Sequence, residues 1–306
     1  MSVTPVNKQM NLLEWSLLIG LSVLWGGSFF FNGVAVQDIP VLTIVLGRVS
    51  IAALALYLFL RIAGISMPRD ASVWRAFFIM GFFNNFVPFT LIVWGQSHLA
   101  SGYASVINAT TPMFAVIAAH FLTDDEAMSG NRIIGIAIGF AGVFALVGPD
   151  IMNGLGIGVL AQIAILVASL SYGYASVFGR QFKRMKINPI VTATGQVTAS
   201  SILLVPFVLF VDRPWELAMP GMGSIGAVIG IAILSTALAY ILYFRILETA
   251  GATNLSLVTL LIPPSAIILG VMFLDEIFLP QHLLGMALIA AGLLAIDGRI
   301  ISLFRR

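Results

Sequence analysis

The chain has 306 residues, of which 59% are hydrophobic and 9% are charged, and its mean hydropathy is +1.04. A soluble domain carries about 25% charged residues, so too few charges are present to cover a water-exposed surface, and lipid must be the solvent for most of the chain. The absence of cysteine excludes disulfides, thiolate nucleophiles and cysteine-ligated metals. The net charge of +2 comes from short basic loops and forms no patch that predicts nucleic-acid binding.

Ten membrane spans are predicted, because a helix needs about 20 apolar residues to cross the hydrocarbon core. The predicted spans are Leu12–Phe31, Pro40–Ile62, Val73–Val93, Tyr103–Leu122, Arg132–Val147, Gly156–Phe178, Ile190–Val211, Ser224–Phe244, Leu255–Leu274 and Gln281–Ile300. The first apolar run is too long for a cleaved signal and has no small-residue cleavage site. The predicted fold class is therefore an all-α membrane protein with ten transmembrane helices.

Lysine and arginine fall on one side of this predicted bundle. Of the fifteen basic residues, Arg213 lies outside when the N-terminus is placed in the cytoplasm, Arg48 lies within the second span, and the other thirteen face the cytoplasm. Basic loops stay on the cytoplasmic side of membrane proteins. The sequence therefore predicts a multi-pass protein of the cell inner membrane with both termini in the cytoplasm.

One segment is repeated in the sequence, first from Ser105 to Gly142 and again from Ser256 to Gly292. The matched pairs are Ser105 with Ser256, Pro112 with Pro263, Glu126 with Glu276, Gly135 with Gly285, and Gly142 with Gly292. The serines and the prolines are offset by 151 residues and the glutamates by 150. Two halves of five spans, 1–150 and 151–306, must be inverted relative to each other because five is odd. Inverted repeats in lipid are typical of secondary transporters.

With ten spans, inverted halves and a paired Pro-Glu-Gly-Gly pattern, the chain resembles the drug/metabolite transporter superfamily and, within it, the EamA-type permeases. The resemblance rests on the ordered set of motifs in both halves, which includes Trp25-Gly26-Gly27-Ser28 and Arg48. It implies a secondary transporter, often an exporter, of small organic solutes such as amino acids, metabolites or drugs. It further implies alternating access through a cavity between the halves, and it names no single substrate.

Arg48 lies well inside the second predicted span. Ionisable residues inside a membrane are costly and mark functional sites, usually with a partner that can be named. One interpretation pairs the guanidinium with a substrate carboxylate or with carbonyls at a helix break. The other is a structural contact to Asn32 or Asp38 near the end of the first span, with the head group extending to the interface. The sequence leaves both interpretations open.

The third span carries two adjacent amides, Asn84 and Asn85, shortly before Pro88. Proline removes one backbone donor and frees a carbonyl one turn earlier. The amides are therefore expected either to satisfy those backbone groups or to contact a solute at an interrupted helix.

A second pair of polar breaks is predicted in the fourth and ninth spans, which correspond in the repeat. Its residues are Asn108, Thr111 and Pro112 in the first copy and Thr259, Pro263 and Pro264 in the second. Each of the adjacent prolines removes a donor, so the ninth span is expected to bend more sharply than the fourth. Asymmetric broken helices are typical of a one-sided substrate site between repeats.

Further candidates for the wall of a substrate cavity come from four spans. In the first span, Trp25, Ser28 and Asn32 share a helix face through their spacings of three and seven. The remaining candidates are Tyr103, Tyr172 and Gln196, of which Gln196 occupies the position that matches Arg48. Tyr240 and Tyr243 are instead expected in the aromatic belt at the membrane interface.

Glu126 and Glu276 precede the fifth and tenth spans, where a carboxylate complements the helix dipole by about 0.3–1 kcal/mol. They are therefore predicted to have a structural role, and the paired glycines of those spans to permit close helix packing. No catalytic, metal-binding or nucleotide-binding motif is present, so no cofactor is predicted. The expected partners are a small-molecule solute and the lipid bilayer, as a monomer or homodimer. An intramembrane enzyme or receptor without net solute movement is the alternative.

Overall fold

The computed structural model describes residues 10–123, 126, 128–152, 156–277 and 279–297, without the side chains at 149–152, 252–253 and 281. This part of the chain folds into helices, with no strand. The helices are α1 (Leu12–Ala35), α2 (Val41–Ile62), α3 (Ala71–Gln96), α4 (Ser101–Leu122), α5 (Gly130–Met152), α6 (Ile157–Arg184), α7 (Pro189–Asp212), α8 (Met222–Thr249), α9 (Gly251–Leu255 and Val258–Phe273) and α10 (Pro280–Asp297).

The all-α membrane fold class is confirmed. Within the described residues, eight helices are long and apolar enough to span a membrane, and the shorter apolar helices Val258–Phe273 and His282–Asp297 complete the predicted ten. The fifth helix, Gly130–Met152, is longer than the predicted Arg132–Val147. The predicted end of the tenth span, Ile300, and both chain termini lie outside the described residues.

Local sequence signals explain where several helices begin. The side chains of Asn11 and Glu14 each accept the other's backbone N–H at 2.9 Å, which forms a capping box at the start of α1. Asp70 caps α3 through the N–H of Ser72, and Asn188 caps α7 through the N–H of Ile190. These bonds satisfy amides of the first helical turn that have no partner within the helix.

Helices of the two halves interleave, and their contacts occur in mirrored pairs. Helix α1 packs on α9 as α6 packs on α4, and α2 packs on α8 as α7 packs on α3. Helices α2 and α7 contact each other, as do α5 and α10, and the members of each pair are counterparts in the repeat. This arrangement is what two inverted copies of one five-helix unit produce. The boundary at residue 150 remains a prediction.

The paired glycines bring α5 and α10 into backbone contact. A Cβ at Gly135 would lie 2.6 Å from the carbonyl oxygen of Gly292, and one at Gly142 would lie 2.8 Å from that of Gly285. Side chains larger than hydrogen cannot be accommodated where two helices approach this closely. The predicted role of these glycines in close helix packing is therefore confirmed, and the contact joins the last helices of the two halves.

The prolines do not all interrupt their helices as predicted. Pro112 is the second residue of the second piece of α4, Thr111–Leu122, after a break that follows Asn108. In α9, however, the helix Val258–Phe273 continues through Pro263 and Pro264, and the interruption lies earlier, at residues 256–257. The break in α9 therefore falls before the prolines and not at them, and the sharper bend expected of the ninth span stays a prediction.

Gly135→Ala is expected to destabilise the bundle by about 1–3 kcal/mol, because the new Cβ would meet the backbone of α10. Thermal unfolding in detergent measures this loss. Gly20→Ala is the matched control, since a Cβ at Gly20 meets nothing within 4 Å. Equal melting temperatures for the two variants would contradict the close contact between α5 and α10.

Candidate functional site

Two π-helical turns lie at corresponding positions of the repeat. They are Phe82–Phe86 in α3 and Ile233–Leu238 in α8, and their first residues, 82 and 233, differ by 151, as Ser105 and Ser256 do. π-Turns widen a helix and are frequent at functional sites. The interruption predicted before Pro88 is therefore present as a π-turn.

Hydroxyl groups from neighbouring helices hydrogen-bond the backbone carbonyls at the α3 π-turn. Ser171 on α6 donates to the carbonyl of Phe83 at 2.6 Å, and Ser200 on α7 donates to that of Gly81 at 2.9 Å. Because these backbone groups are already satisfied, the amides of Asn84 and Asn85 remain available for other contacts.

Arg48 is buried between the halves, with 7% of its surface exposed. Its Nε donates to the hydroxyl of Thr236 in the α8 π-turn at 3.0 Å, and its guanidinium carbon lies 3.5 Å from the ring centre of Phe89. Neither Asn32 nor Asp38 contacts it, so the predicted structural partners are wrong: Asn32 bonds Gln96, and Asp38 bonds the start of α8. Among the described residues, the guanidinium forms no ion pair with an acid.

The amides of the α3 turn meet one tyrosine. Nδ2 of Asn84 and Nδ2 of Asn85 each lie 3.3 Å from the hydroxyl of Tyr240, and Nδ2 of Asn84 also donates to Oε1 of Gln196 at 3.1 Å. Oδ1 of Asn85 is buried and has no hydrogen-bond partner among the described residues. Tyr172 packs edge-on against Phe89, with 6.5 Å between ring centres. We call Arg48, Asn84, Asn85, Tyr172, Gln196, Thr236 and Tyr240 the central polar cluster.

The cluster has an approximate two-fold relation that the repeat explains. Adding 151 to 84 and 85 gives 235 and 236, so Asn84-Asn85 corresponds to Ser235-Thr236. Arg48 on α2 bonds Thr236 on α8, and its counterpart Gln196 on α7 bonds Asn84 on α3. The same helix pairing therefore occurs twice, but only one copy contains a charge.

The other candidates on α1 do not form one common wall. Trp25 packs against Tyr243 at 5.6 Å, and the hydroxyl of Ser28 bonds the carbonyl of Trp25 in its own helix. Asn32 is buried and donates to Gln96 at 2.9 Å. Each of these side chains therefore has its own contacts away from Arg48, and their contact with a solute stays a prediction.

The candidates on α4 and α9 mostly bond their own helices. Thr111 donates to the carbonyl of Asn108, and Thr259 donates to that of Ser256. The hydroxyl of Tyr103 donates to the carbonyl of Leu146, and its ring stacks on His282. A solute role for these residues also stays a prediction.

The two loop glutamates act differently from the prediction, which placed each at the start of the helix that follows it. Glu276 accepts the amides of Ser101 and Gly102 at 2.6 and 3.1 Å, so it caps α4 instead of α10. Glu126 forms ion pairs with Arg180 and, at 3.3 Å, with Arg132. The contacts with Ser101, Gly102 and Arg180 depend on residues far away in sequence, whereas Arg132 lies on the helix that follows Glu126.

Tyr240 was missed, because its position near a helix end suggested the interfacial belt. The structure places its hydroxyl between the two amides of α3. Ser235 and Thr236 were also missed. The offset of 151 applied to Asn84 and Asn85 would have found them.

The chain matches the EamA-like transporter family twice, over residues 13–148 and 159–296. It belongs to the EamA-like transporter family. It is 25% identical over 277 residues to the uncharacterized transporter YoaV of Bacillus subtilis, which covers 90% of this chain and 94% of that protein. It is 22% identical to the probable terminal-alkyne amino-acid exporter of Streptantibioticus cattleyicolor, which covers 96% of each chain. It is also 25% identical to the uncharacterized inner membrane transporter YedA of Escherichia coli K12, over 83% of this chain and 80% of that protein.

This chain also aligns with a protein of known crystal structure. The TM-score is 0.66 and the identity 17%, over 92% of this chain and 97% of the other. At this identity the likeness concerns the fold alone. A multi-pass membrane transporter fold with two EamA-like repeats is thus established, and the substrate must be argued from the central polar cluster.

Thr236→Val is expected to destabilise the protein by about 1–3 kcal/mol, because it leaves buried Nε of Arg48 without its acceptor. Thr198→Val is the matched control. Each threonine also donates to a carbonyl of its own helix, but Thr198 accepts no bond from a charged group. Chemical or thermal unfolding in detergent compares them. A loss no larger than that of the control would mean that the bond to Arg48 adds nothing.

Proposed function

We propose that this member of the EamA-like family exports small organic solutes that carry both a carboxylate and an amino group, such as amino acids. In this proposal the central polar cluster binds the solute. Arg48 receives the carboxylate, and Oδ1 of Asn85 accepts a hydrogen bond from the amino group.

The buried guanidinium without an acidic partner is the observation that carries the proposal. A charge buried in a bundle is costly unless it is paired. Arg48 has one hydroxyl and one aromatic ring, Thr236 and Phe89, as described partners, and these leave its charge uncompensated. Arginine presents its N–H groups in a planar fork that fits a carboxylate. A carboxylate on the solute would complete this ion pair.

Unpaired polar atoms near the π-turns support the second part of the proposal. Oδ1 of Asn85 and the hydroxyl of Ser235 are buried without partners in the described part of the chain. Leaving such an atom unpaired costs roughly 1–3 kcal/mol, which an incoming donor would recover. An ammonium group is such a donor, and Asn85 carries no charge that would repel it.

The proposed transport by alternating access is supported by the interleaved inverted halves, in which the cluster lies between helices of both. Export and an inner-membrane location are supported by the names of two relatives, the amino-acid exporter of Streptantibioticus cattleyicolor and the inner membrane transporter YedA. The excess of basic residues in loops on one side supports cytoplasmic termini.

Flux into liposomes that contain only this protein tests the function. A panel of radiolabelled amino acids is compared with the corresponding amines, which lack the carboxylate. We expect at least one amino acid to move faster than in empty liposomes, and its amine to move no faster. Chemical conversion of a panel member without movement would instead favour an intramembrane enzyme.

Arg48→Gln is expected to lower the transport of that amino acid at least about 30-fold, the effect of removing one partner of a buried ion pair. Arg48→Lys keeps the charge but loses the fork, so it should retain part of the activity. Arg61→Gln, at an exposed position near the end of the same helix, is the matched control. Undiminished flux in Arg48→Gln at equal reconstitution would reject the assignment of Arg48.

A further inference from the structure

A buried group of polar side chains closes the bundle at the end where α1 finishes. Nδ2 of Asn32 donates to Oε1 of Gln96, and Nε2 of Gln96 donates to the carbonyl of Phe29 at 2.8 Å and to the hydroxyl of Ser101 at 3.1 Å. The same hydroxyl donates to the Phe29 carbonyl. These bonds connect α1, the end of α3 and the start of α4, so this end is held shut by specific polar contacts.

Glu276 adds a contact across the two halves to this closed end. Its two carboxylate oxygens accept the backbone N–H groups of Ser101 and Gly102. Its position is fixed by the turn that ends α9, where Asp275 is left-handed (φ 53°) and the N–H of Glu276 bonds the carbonyl of Gly270 at 3.2 Å. Charge-assisted bonds to unpaired first-turn amides are strong. A loop of the second half thus holds a helix of the first half.

The corresponding glutamate at the opposite end is engaged differently. The residues that correspond to 101 and 102 are 252 and 253, at the start of α9. By analogy with Glu276, Glu126 would hold that start. Instead its carboxylate is paired with Arg180, at the end of α6, and with Arg132 on α5. The same loop element therefore adopts two different arrangements in the two halves.

The cavities described near the two glutamates also differ in volume. Beside Glu276 the space between Gly102, Tyr103 and His282 amounts to about 10 Å³, room for about one water molecule. Beside Arg180 an open cleft of about 210 Å³ lies between Thr123 at the end of α4 and Phe178 in α6. The cavity beside Glu276 is therefore much smaller than the cleft beside Arg180.

We infer that Glu276 is the residue that holds the non-basic end of the transporter closed, and that Glu126 takes the equivalent role at the basic end in the opposite-facing state. In that state Glu276 releases Ser101 and Gly102, and Glu126 leaves Arg180 to hold the start of α9. Exchange of arrangements between inverted repeats converts one facing state into the other. The inference rests on the proposed transport function and identifies positioning residues outside the central polar cluster.

Accessibility of a single introduced cysteine tests this inference, since the natural chain contains none. Ala104→Cys places the thiol one turn inside α4, at a position that is 0% exposed. A membrane-impermeant maleimide is applied from the side opposite the basic loops, without substrate. Glu276→Gln is expected to raise the labelling rate of this cysteine about tenfold, the population shift expected from weakening one charge-assisted contact.

Asp275→Asn is the matched control. It also removes one negative charge, but from the exposed side chain that directly precedes Glu276. It should leave the labelling rate unchanged. Gly270→Ala provides a second route without a charge change, since a Cβ there would meet the Glu276 carboxylate. It should raise labelling as Glu276→Gln does. Folding of each variant is checked by size-exclusion chromatography.

The inference is overturned if the folded variants Glu276→Gln and Gly270→Ala are labelled no faster than Asp275→Asn. If only one of the two folds, that one is compared with Asp275→Asn. The readout needs no substrate, so it is separate from the flux experiment. If labelling changes as expected but no amino acid moves, the gate assignment stands and the proposed substrate fails. If amino acids move but the labelling rate does not depend on Glu276, the proposed substrate stands and the gate assignment fails. Glu126→Gln should not raise labelling at residue 104, since it removes the group expected to hold the opposite-facing state.

Discussion

The burial of one guanidinium between two apolar five-helix units is the constraint on which the central architecture depends. Arg48 is buried, and its described contacts with Thr236 and Phe89 compensate its charge only in part. Its acceptor lies on a π-turn, which displaces the Thr236 hydroxyl from a regular helical position. Helix irregularity is tolerated inside a membrane only where protein covers it or where it lines a cavity. The charge, the π-turns and the polar contacts around them therefore belong to one arrangement, which the proposed solute carboxylate would complete.

The repeat explains both the symmetry of this arrangement and its departure from symmetry. Duplication supplies two π-turns, two helix crossings and two polar residues at each turn. Divergence then makes the copies unequal: the counterpart of Arg48 is Gln196, and the counterpart of Asn84-Asn85 is Ser235-Thr236. A fully symmetric site would present the same groups to both ends of a solute. With a cation at one position and neutral acceptors at the other, the cluster can orient a solute that has chemically different ends.

The spans, the repeat and the close packing of α5 on α10 could be predicted, because lipid imposes an apolar length on each helix and glycine spacing fixes where helices approach. Arg48, Asn84 and Asn85 were also found, since polar residues inside a span are conspicuous. Their partners could not be found, because helix rotation and register decide which hydroxyl meets them. Tyr240 illustrates this: its sequence position suits the interface, yet it bonds both amides of α3. Glu276 illustrates it again, since the helix it caps lies about 175 residues earlier in the chain.

The closed end and the polar cluster are connected by packed helices, so binding at one can influence the other. Gly26 on α1 lies against α9 so closely that a Cβ would be 2.6 Å from that of Ser265, so the two helices are in direct contact. The same α9 ends in the loop that positions Glu276. One residue before Gly26, Trp25 packs on Tyr243 of α8, less than one turn from Tyr240 in the cluster. A solute that displaces Tyr240 from the amides would therefore act on α1 through Tyr243 and Trp25. Helix α1 packs on α9, which ends in the loop of Glu276. These packed helices connect the central polar cluster with the loop of Glu276 through contacts between the two halves.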